Sequence, residues 1–166
     1  AANRKAVWQT LEKIYAEGKK IRSIGVSNYE IYHLEELFEY SKVVPALNQC
    51  EFHPYNTEKL LRRYCKKKGI AFQAFSSLCW GDASVLAAEP VQAAAKKYGV
   101  SPQSILFAFG WRSGVGIIPK SETPSRIESN FKDTLKATLT EEEVKAIAAL
   151  NKNQVFCPTC EPDQVI

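Results

Sequence analysis

Lys120 and Ser121 stand at the exit of a short apolar run, and Thr123-Pro124 then opens a helical pattern carrying Arg126 and Asn130 on adjacent turns. A cation, a hydroxyl and a helix N-terminus at one strand end form an anion site. The first N–H groups of a helix lack intrahelical partners, and the helix dipole favours negative charge there. Thr123 can cap, and Pro124 suits the first helical position, where its missing N–H costs nothing. Arg126 and Asn130 are four apart, so both can face one ligand. The chemistry this pattern points to is phosphate binding.

A second group lies nearer the start of the sequence. Ser27 and Asn28 follow one β-like run and Gln49 lies in the next. A hydroxyl and two carboxamides complement another amide, because each side-chain amide offers both a donor and an acceptor. Taken alone, Asn28 also reads as a loop or cap residue. Phe75 closes a third run just before Ser76, Ser77 and Leu78, where a core aromatic is the ordinary expectation.

Four times a β-rich run is followed by a helical pattern. The runs are Ile21 to Ser27, Ala46 to Cys50, Ile70 to Phe75 and Val115 to Ile118. Helices are expected over Asn3 to Glu17, Ile31 to Tyr40, Thr57 to about Lys67, Pro90 to Tyr98, Pro102 to Trp111, Pro124 to about Phe131 and Thr140 to Leu150. Thr140 and Glu143 have the spacing of a capping box. Alternation of this kind implies parallel strands joined by βαβ crossovers. No GxGxxG marks a strand-to-helix turn, which removes support for a doubly wound dinucleotide fold. The ligand-like residues follow strands, as at the C-terminal face of a (β/α)8 barrel. Such a barrel needs about 250 residues; the expected fold class is therefore α/β, a partial (β/α)8 TIM barrel of four parallel βα units with an additional C-terminal helix. We expect a single domain over residues 1–166, with 151–166 as a tail.

The 166 residues, 45% hydrophobic and 24% charged, suit a globular domain rather than a disordered chain. A net charge of +4 is mild and does not gather into a nucleic-acid tract, and no apolar run would cross a bilayer. We therefore expect no nucleic acid and no membrane partner. The five cysteines are odd in number and scattered, without a secretory signal, which favours free thiols in a reducing, cytoplasmic setting. Cys157 and Cys160 have CxxC spacing, but no second pair accompanies them, so neither a redox pair nor a zinc site is expected. There is no methionine, and the chain opens inside a helix-like pattern, which suggests a piece of a longer translation product or a processed chain.

Three stretches carry a family resemblance: Gly25-Val26-Ser27-Asn28-Tyr29, Asn48-Gln49-Cys50-Glu51-Phe52-His53-Pro54-Tyr55, and the run from Ile118 to Asn130. Together they resemble the C-terminal half of the aldo-keto reductases, strands five to eight of that barrel, from about Trp8 to Leu150. The resemblance implies NADP(H) as cofactor. Ser27, Asn28 and Gln49 would hold the nicotinamide carboxamide, and Phe75 would stack on the ring. Ser76 and Leu78 would approach the pyrophosphate, and Lys120, Ser121, Thr123, Arg126 and Asn130 would hold the adenosine 2′-phosphate. Trp80 and Asp82 become candidates for the substrate rim, and His53 is structural. Some positions depart from the family: Ser77 replaces a common Pro, Ser129 a common Glu, and Glu122 places a carboxylate beside the phosphate position.

The resemblance also implies what is missing. The family's proton donor is a Tyr assisted by a Lys, an Asp and a His from the first four strands. None of the seven tyrosines here stands in a matching context, so no catalytic residue and no metal ligand is nominated. The expected function is NADPH-dependent reduction of a small aldehyde or ketone, with this chain supplying the cofactor-binding half and inactive alone. The alternative is a truncated, non-catalytic protein that binds nucleotide or self-associates through unpaired strand edges, two copies restoring eight strands.

Overall fold

The computed structural model describes residues 2–157. The strands are β1 (Val26–Ser27), β2 (Leu47–Glu51), β3 (Ala71–Phe75) and β4 (Gly116–Ile117), in the order β1-β2-β3-β4. β1 pairs parallel with β2, and β3 with β4. Around them lie α1 (Ala2–Ala16), α2 (Ile31–Tyr40), α3 (Lys59–Lys67), α4 (Ala83–Ala87), α5 (Glu89–Tyr98), α6 (Pro102–Arg112), α7 (Pro124–Lys136) and α8 (Glu141–Ala148). The chain divides into two compact bodies, one of residues 2–50 and 59–72 with Cys157, the other of residues 51–58 and 73–156.

In the first body, apolar residues of α2 recur at helical spacing, and Leu34 and Leu37 are fully buried. Trp8 is the largest buried side chain of α1, and its indole N–H donates to Glu12 at 3.1 Å. The same carboxylate accepts the backbone N–H groups of Lys42 and Val43 at 2.6 and 2.9 Å, pinning the loop before β2 to α1. The ladder of β1 is shorter than the Ile21 to Ser27 expected. Val26 and Ser27 pair in register with Asn48 and Gln49, and ahead of them the Ile24 carbonyl accepts the Ala46 N–H at 2.8 Å. Gly25 is required at this approach: a Cβ there would lie 2.8 Å from the Leu47 carbonyl oxygen.

In the second body, α6 is buried on all sides from Ser104 to Gly110. Phe109 stacks on Phe52, centroids 5.4 Å apart, and Val85, Val91, Leu139 and Ile147 fill the core around it. α8 starts with the capping box expected of Thr140 and Glu143. Burial opposes the Glu143 carboxylate, but hydrogen bonds from Lys97, the Thr140 N–H and Tyr98 hold it down to about 2. Several elements here differ from the sequence expectation. A 3-10 turn (Cys79–Gly81) and α4 occupy what reads as loop, because Asp82 accepts the N–H groups of Ser84 and Val85 and nucleates a helix. α7 runs past Phe131 to Lys136, since Ile127, Phe131 and Leu135 continue one apolar stripe.

Candidate functional site

The first body carries the Ser27, Asn28 and Gln49 group. Ser27 lies in register with Gln49 on the neighbouring strand. The Ser27 hydroxyl and the Asn28 N–H both donate to the Gln49 carbonyl, each at 2.9 Å. Asn28 has φ 56°, the left-handed conformation that Asn tolerates better than other side chains. Ser27, Asn28 and Gln49 are thus brought together at the end of one strand pair. Sequence reasoning missed the residue that holds them there. The buried Asn48 side chain donates to the Tyr29 carbonyl at 2.7 Å and accepts the Tyr29 N–H at 3.4 Å. It clamps the turn after Ser27-Asn28 onto β2. The signal was its position beside Gln49 in the motif already singled out.

The second body carries the remaining candidates. Phe75 is the last residue of β3, and it is half-buried. Ser76 follows with φ 58°, and its hydroxyl is buried without a hydrogen-bond partner. An orphaned buried hydroxyl costs about 1–3 kcal/mol unless something supplies its partner, so Ser76 fits the edge of a polar ligand. Leu78 is half-buried just ahead of the 3-10 turn. Cys79, Trp80 and Gly81 all have positive φ, and Trp80 is 73% exposed. Asp82 caps α4. Its carboxylate is committed to the α4 cap and is held below the usual range, first by the Ser84 hydroxyl. Burial pushes the Cys79 thiol up to about 12, helped by Asp82 and Glu51, which keeps it un-ionised at neutral pH.

At the α7 N-terminus Thr123 is the cap residue and Pro124 opens the helix, but the Thr123 side chain makes no capping bond. The Arg126 and Ile127 N–H groups donate instead to the Thr123 carbonyl, at 3.0 and 3.1 Å, and Ser121 Oγ accepts the Thr123 N–H at 3.2 Å. Lys120 is not a free cation: it pairs with Glu122 at 2.6 Å, both strongly exposed. Lys132 likewise holds Glu128. Arg126 forms no ion pair among the described residues, and Asn130 lies one turn on, half-buried. The cluster therefore offers a free guanidinium and a serine-closed turn, with its two neighbouring carboxylates already neutralised by lysines.

His53 is deeply buried between Glu51 and Asn56. Its Nδ1 accepts the Asn56 N–H at 3.1 Å, which assigns the ring proton to Nε2 and makes that nitrogen the donor to Glu51 at 3.0 Å. Both ring nitrogens are thus engaged within the fold. Among the cysteines, Cys50, Cys65 and Cys79 are free and buried. Cys157 is disulfide-bonded, against the expectation of free thiols, and Cys160 lies outside the described residues. Among the described residues no helix is long and apolar enough to cross a membrane.

Comparison with known proteins decides the family. The Aldo/keto reductase family model matches residues 2–152. The chain belongs to the aldo-keto reductase family. It is 40% identical over 162 residues to glyoxal reductase of Bacillus subtilis, covering 98% of this chain and 56% of that protein. It is 41% identical over 148 residues to the 9,11-endoperoxide prostaglandin H2 reductase of Trypanosoma cruzi, covering 89% of this chain and 52% of that one. Among solved structures, MGS-M4, an aldo-keto reductase from a deep-sea metagenome library, superposes with a TM-score of 0.88 at 34% identity, covering 93% of this chain and 56% of that one. A Gox0644 variant in complex with NADPH gives a TM-score of 0.85 at 28% identity, covering 96% and 57%. The chain spans about half the length of the relatives it matches. Its fold class is α/β, a partial (β/α)8 barrel of four parallel βα units with a further C-terminal helix.

Proposed function

We propose that this chain is the cofactor-binding half of an NADPH-dependent carbonyl reductase acting on a small aldehyde or ketone. One observation carries the preference for NADPH: the two carboxylates nearest the α7 N-terminus are each held by a lysine, which leaves the Arg126 guanidinium as the unpaired charge of that cluster among the described residues. A guanidinium offers a phosphate two parallel hydrogen bonds, whereas the 2′-hydroxyl of NADH would leave its charge unanswered.

The reduced cofactor, when bound, supplies the hydride. The chain's own residues bind and orient. Ser27, Asn28 and Gln49 present a hydroxyl and two carboxamides, the complement of a carboxamide. Phe75 offers an aromatic face, which favours one ring orientation over its opposite. Ser76 brings an unpaired hydroxyl, Leu78 flanks it, and Ser121, Thr123, Arg126 and Asn130 gather at α7, with Lys120 able to exchange Glu122 for a phosphate. No residue of this chain is proposed as the proton donor; that role falls to a tyrosine on the part of the reductase this chain does not span. NADPH titration of the purified chain, followed by an assay of NADPH oxidation with a simple aldehyde, tests both halves of the reading. Binding without turnover supports it. Steady turnover would place the proton donor within these residues, and an absence of binding would remove the cofactor role.

A further inference from the structure

Three segments of the first body that lie far apart in sequence meet at one end of its strands. The Ile24 carbonyl accepts the Ala46 N–H at 2.8 Å, and the Ala46 carbonyl accepts the Ala71 N–H at 3.1 Å. The chain therefore enters β1, β2 and β3 side by side, and residues 18–23, 41–45 and 66–70 gather where it does so. The first segment carries Lys19, Lys20 and Arg22, the second Lys42, and the third Lys66, Lys67 and Lys68, with no Asp or Glu in any of them. All of these cations are exposed, and among the described residues none forms an ion pair. Glu17 and Glu39 are the nearest carboxylates along the chain, and Glu12 is already taken up by Trp8 and by the Lys42 and Val43 N–H groups. The dipole of α3 accounts for Lys66 and Lys67 in its last turn. The other cations lie beyond the last helical turn, where that attraction fades. Like charges crowded at one end repel, and an anionic partner relieves that repulsion.

We infer that this end of the first body is a docking surface for an anionic lipid bilayer. Clustered lysines attract acidic headgroups as point charges and adapt to their motion. Val44 stands among them, 51% exposed, in the segment that enters the central strand of the three. Glu12 pins the backbone just before it, so a fixed loop offers one apolar side chain within a basic surround. Reading a nucleic acid would call for exposed rings to stack on bases, and the three segments hold no aromatic residue and a single arginine. Attachment of this kind is peripheral and needs no membrane-crossing helix. Ser27 closes β1 at the opposite end from these cations, so docking leaves Ser27 and Asn28 directed away from the lipid. The inference rests on charge and exposure in the first body and is independent of the cofactor reading.

The experiment co-sediments the 166-residue chain with vesicles of phosphatidylcholine, alone and with about one-third phosphatidylserine. The expected result is binding to the phosphatidylserine vesicles at low salt that is lost near 1 M salt, where the screening length falls to about 3 Å. The double variants Lys19→Gln/Lys20→Gln and Lys66→Gln/Lys67→Gln should each weaken binding about ten- to thirty-fold, the worth of two lysines at a charged surface. Lys96→Gln/Lys145→Gln removes the same charge from exposed positions of α5 and α8, and should change binding less than about two-fold. Val44→Ser should weaken binding about two- to five-fold and leave its salt dependence unchanged. Four results overturn the inference. The first is no binding to anionic vesicles by a chain whose circular dichroism shows it folded. The second is equal binding to phosphatidylcholine alone, which would make the attachment apolar adhesion. The third is equal weakening by the α5 and α8 variant, which would make it an effect of net charge. The fourth is tighter binding to duplex DNA that the same lysine substitutions abolish, which would give the surface to nucleic acid.

Discussion

Glu51 accepts a hydrogen bond from His53 Nε2 at 3.0 Å, with both side chains almost wholly buried, and the same carboxylate oxygen accepts the Phe156 N–H at 3.0 Å. Phe156 also meets the His53 ring edge-on at 5.3 Å. One buried carboxylate thus ties the end of β2 to the segment that follows α8. Further bonds fasten that segment, with the Tyr55 carbonyl accepting the N–H groups of Lys152 and Gln154 at 3.1 and 3.0 Å. His53→Ala removes the imidazole donor from this buried carboxylate. The expected loss is about 2–4 kcal/mol in urea denaturation, with exchange at residues 152–156 rising first. Loss below about 0.5 kcal/mol would mean that water replaces the imidazole without cost.

Gly25→Ala forces a Cβ toward the Leu47 carbonyl oxygen, 2.8 Å from its ideal position. Backbone cannot yield there as a side chain would. The variant should be destabilised by about 1–3 kcal/mol and should separate Ser27 from Gln49. Denaturation and cofactor titration check the two effects, and an unperturbed midpoint would contradict the close approach.

Ser76→Ala removes a buried hydroxyl that has no partner. Folded stability should stay level or rise by up to about 1 kcal/mol, since an unmet polar group is deleted, while NADPH affinity falls. A serine with a merely structural role would show the reverse, a loss of stability at unchanged affinity.

The carboxyl of Glu143 is held at about 2, below its ordinary 4.5. A depressed carboxylate stabilises the fold fully above the unfolded value and loses that contribution as pH falls through the folded one. The window is therefore about pH 4.5 down to about 2. Glu143→Gln should lower the melting temperature at pH 7 and should converge with the parent protein near pH 2. A difference that persists unchanged at pH 2 would place the effect in packing rather than in charge.

Much of the architecture was legible in local pattern. The stripe Leu34, Leu37 and Phe38 gave α2 its bounds, and Thr140 with Glu143 gave the start of α8. The Ser27-Asn28 and Gln49 cluster followed from residue types set at neighbouring strand ends. What stayed illegible depends on partners rather than on period. β1 contracts to two residues because hydrogen bonding to the next strand, not apolar content, decides where a ladder begins. The cap at Asp82 was hidden within an exposed turn of positive-φ residues that no periodicity describes. The loss of Lys120 to Glu122 is a contact between side chains two apart in an extended loop, outside the helical i,i+4 rule that reads ion pairs from sequence. Asn48 lay inside a recognised motif, yet only coordinates show its amide gripping both backbone groups of Tyr29.

The central claim is that this chain binds NADPH through the unpaired guanidinium of Arg126. Calorimetric titration of the parent chain and of Arg126→Ala with NADPH and with NADH tests it most directly. The account predicts that the substitution weakens NADPH about ten- to a hundred-fold, the worth of a charge-assisted phosphate contact, and changes NADH binding less than about two-fold. Equal weakening of both nucleotides, or none of either, would contradict it.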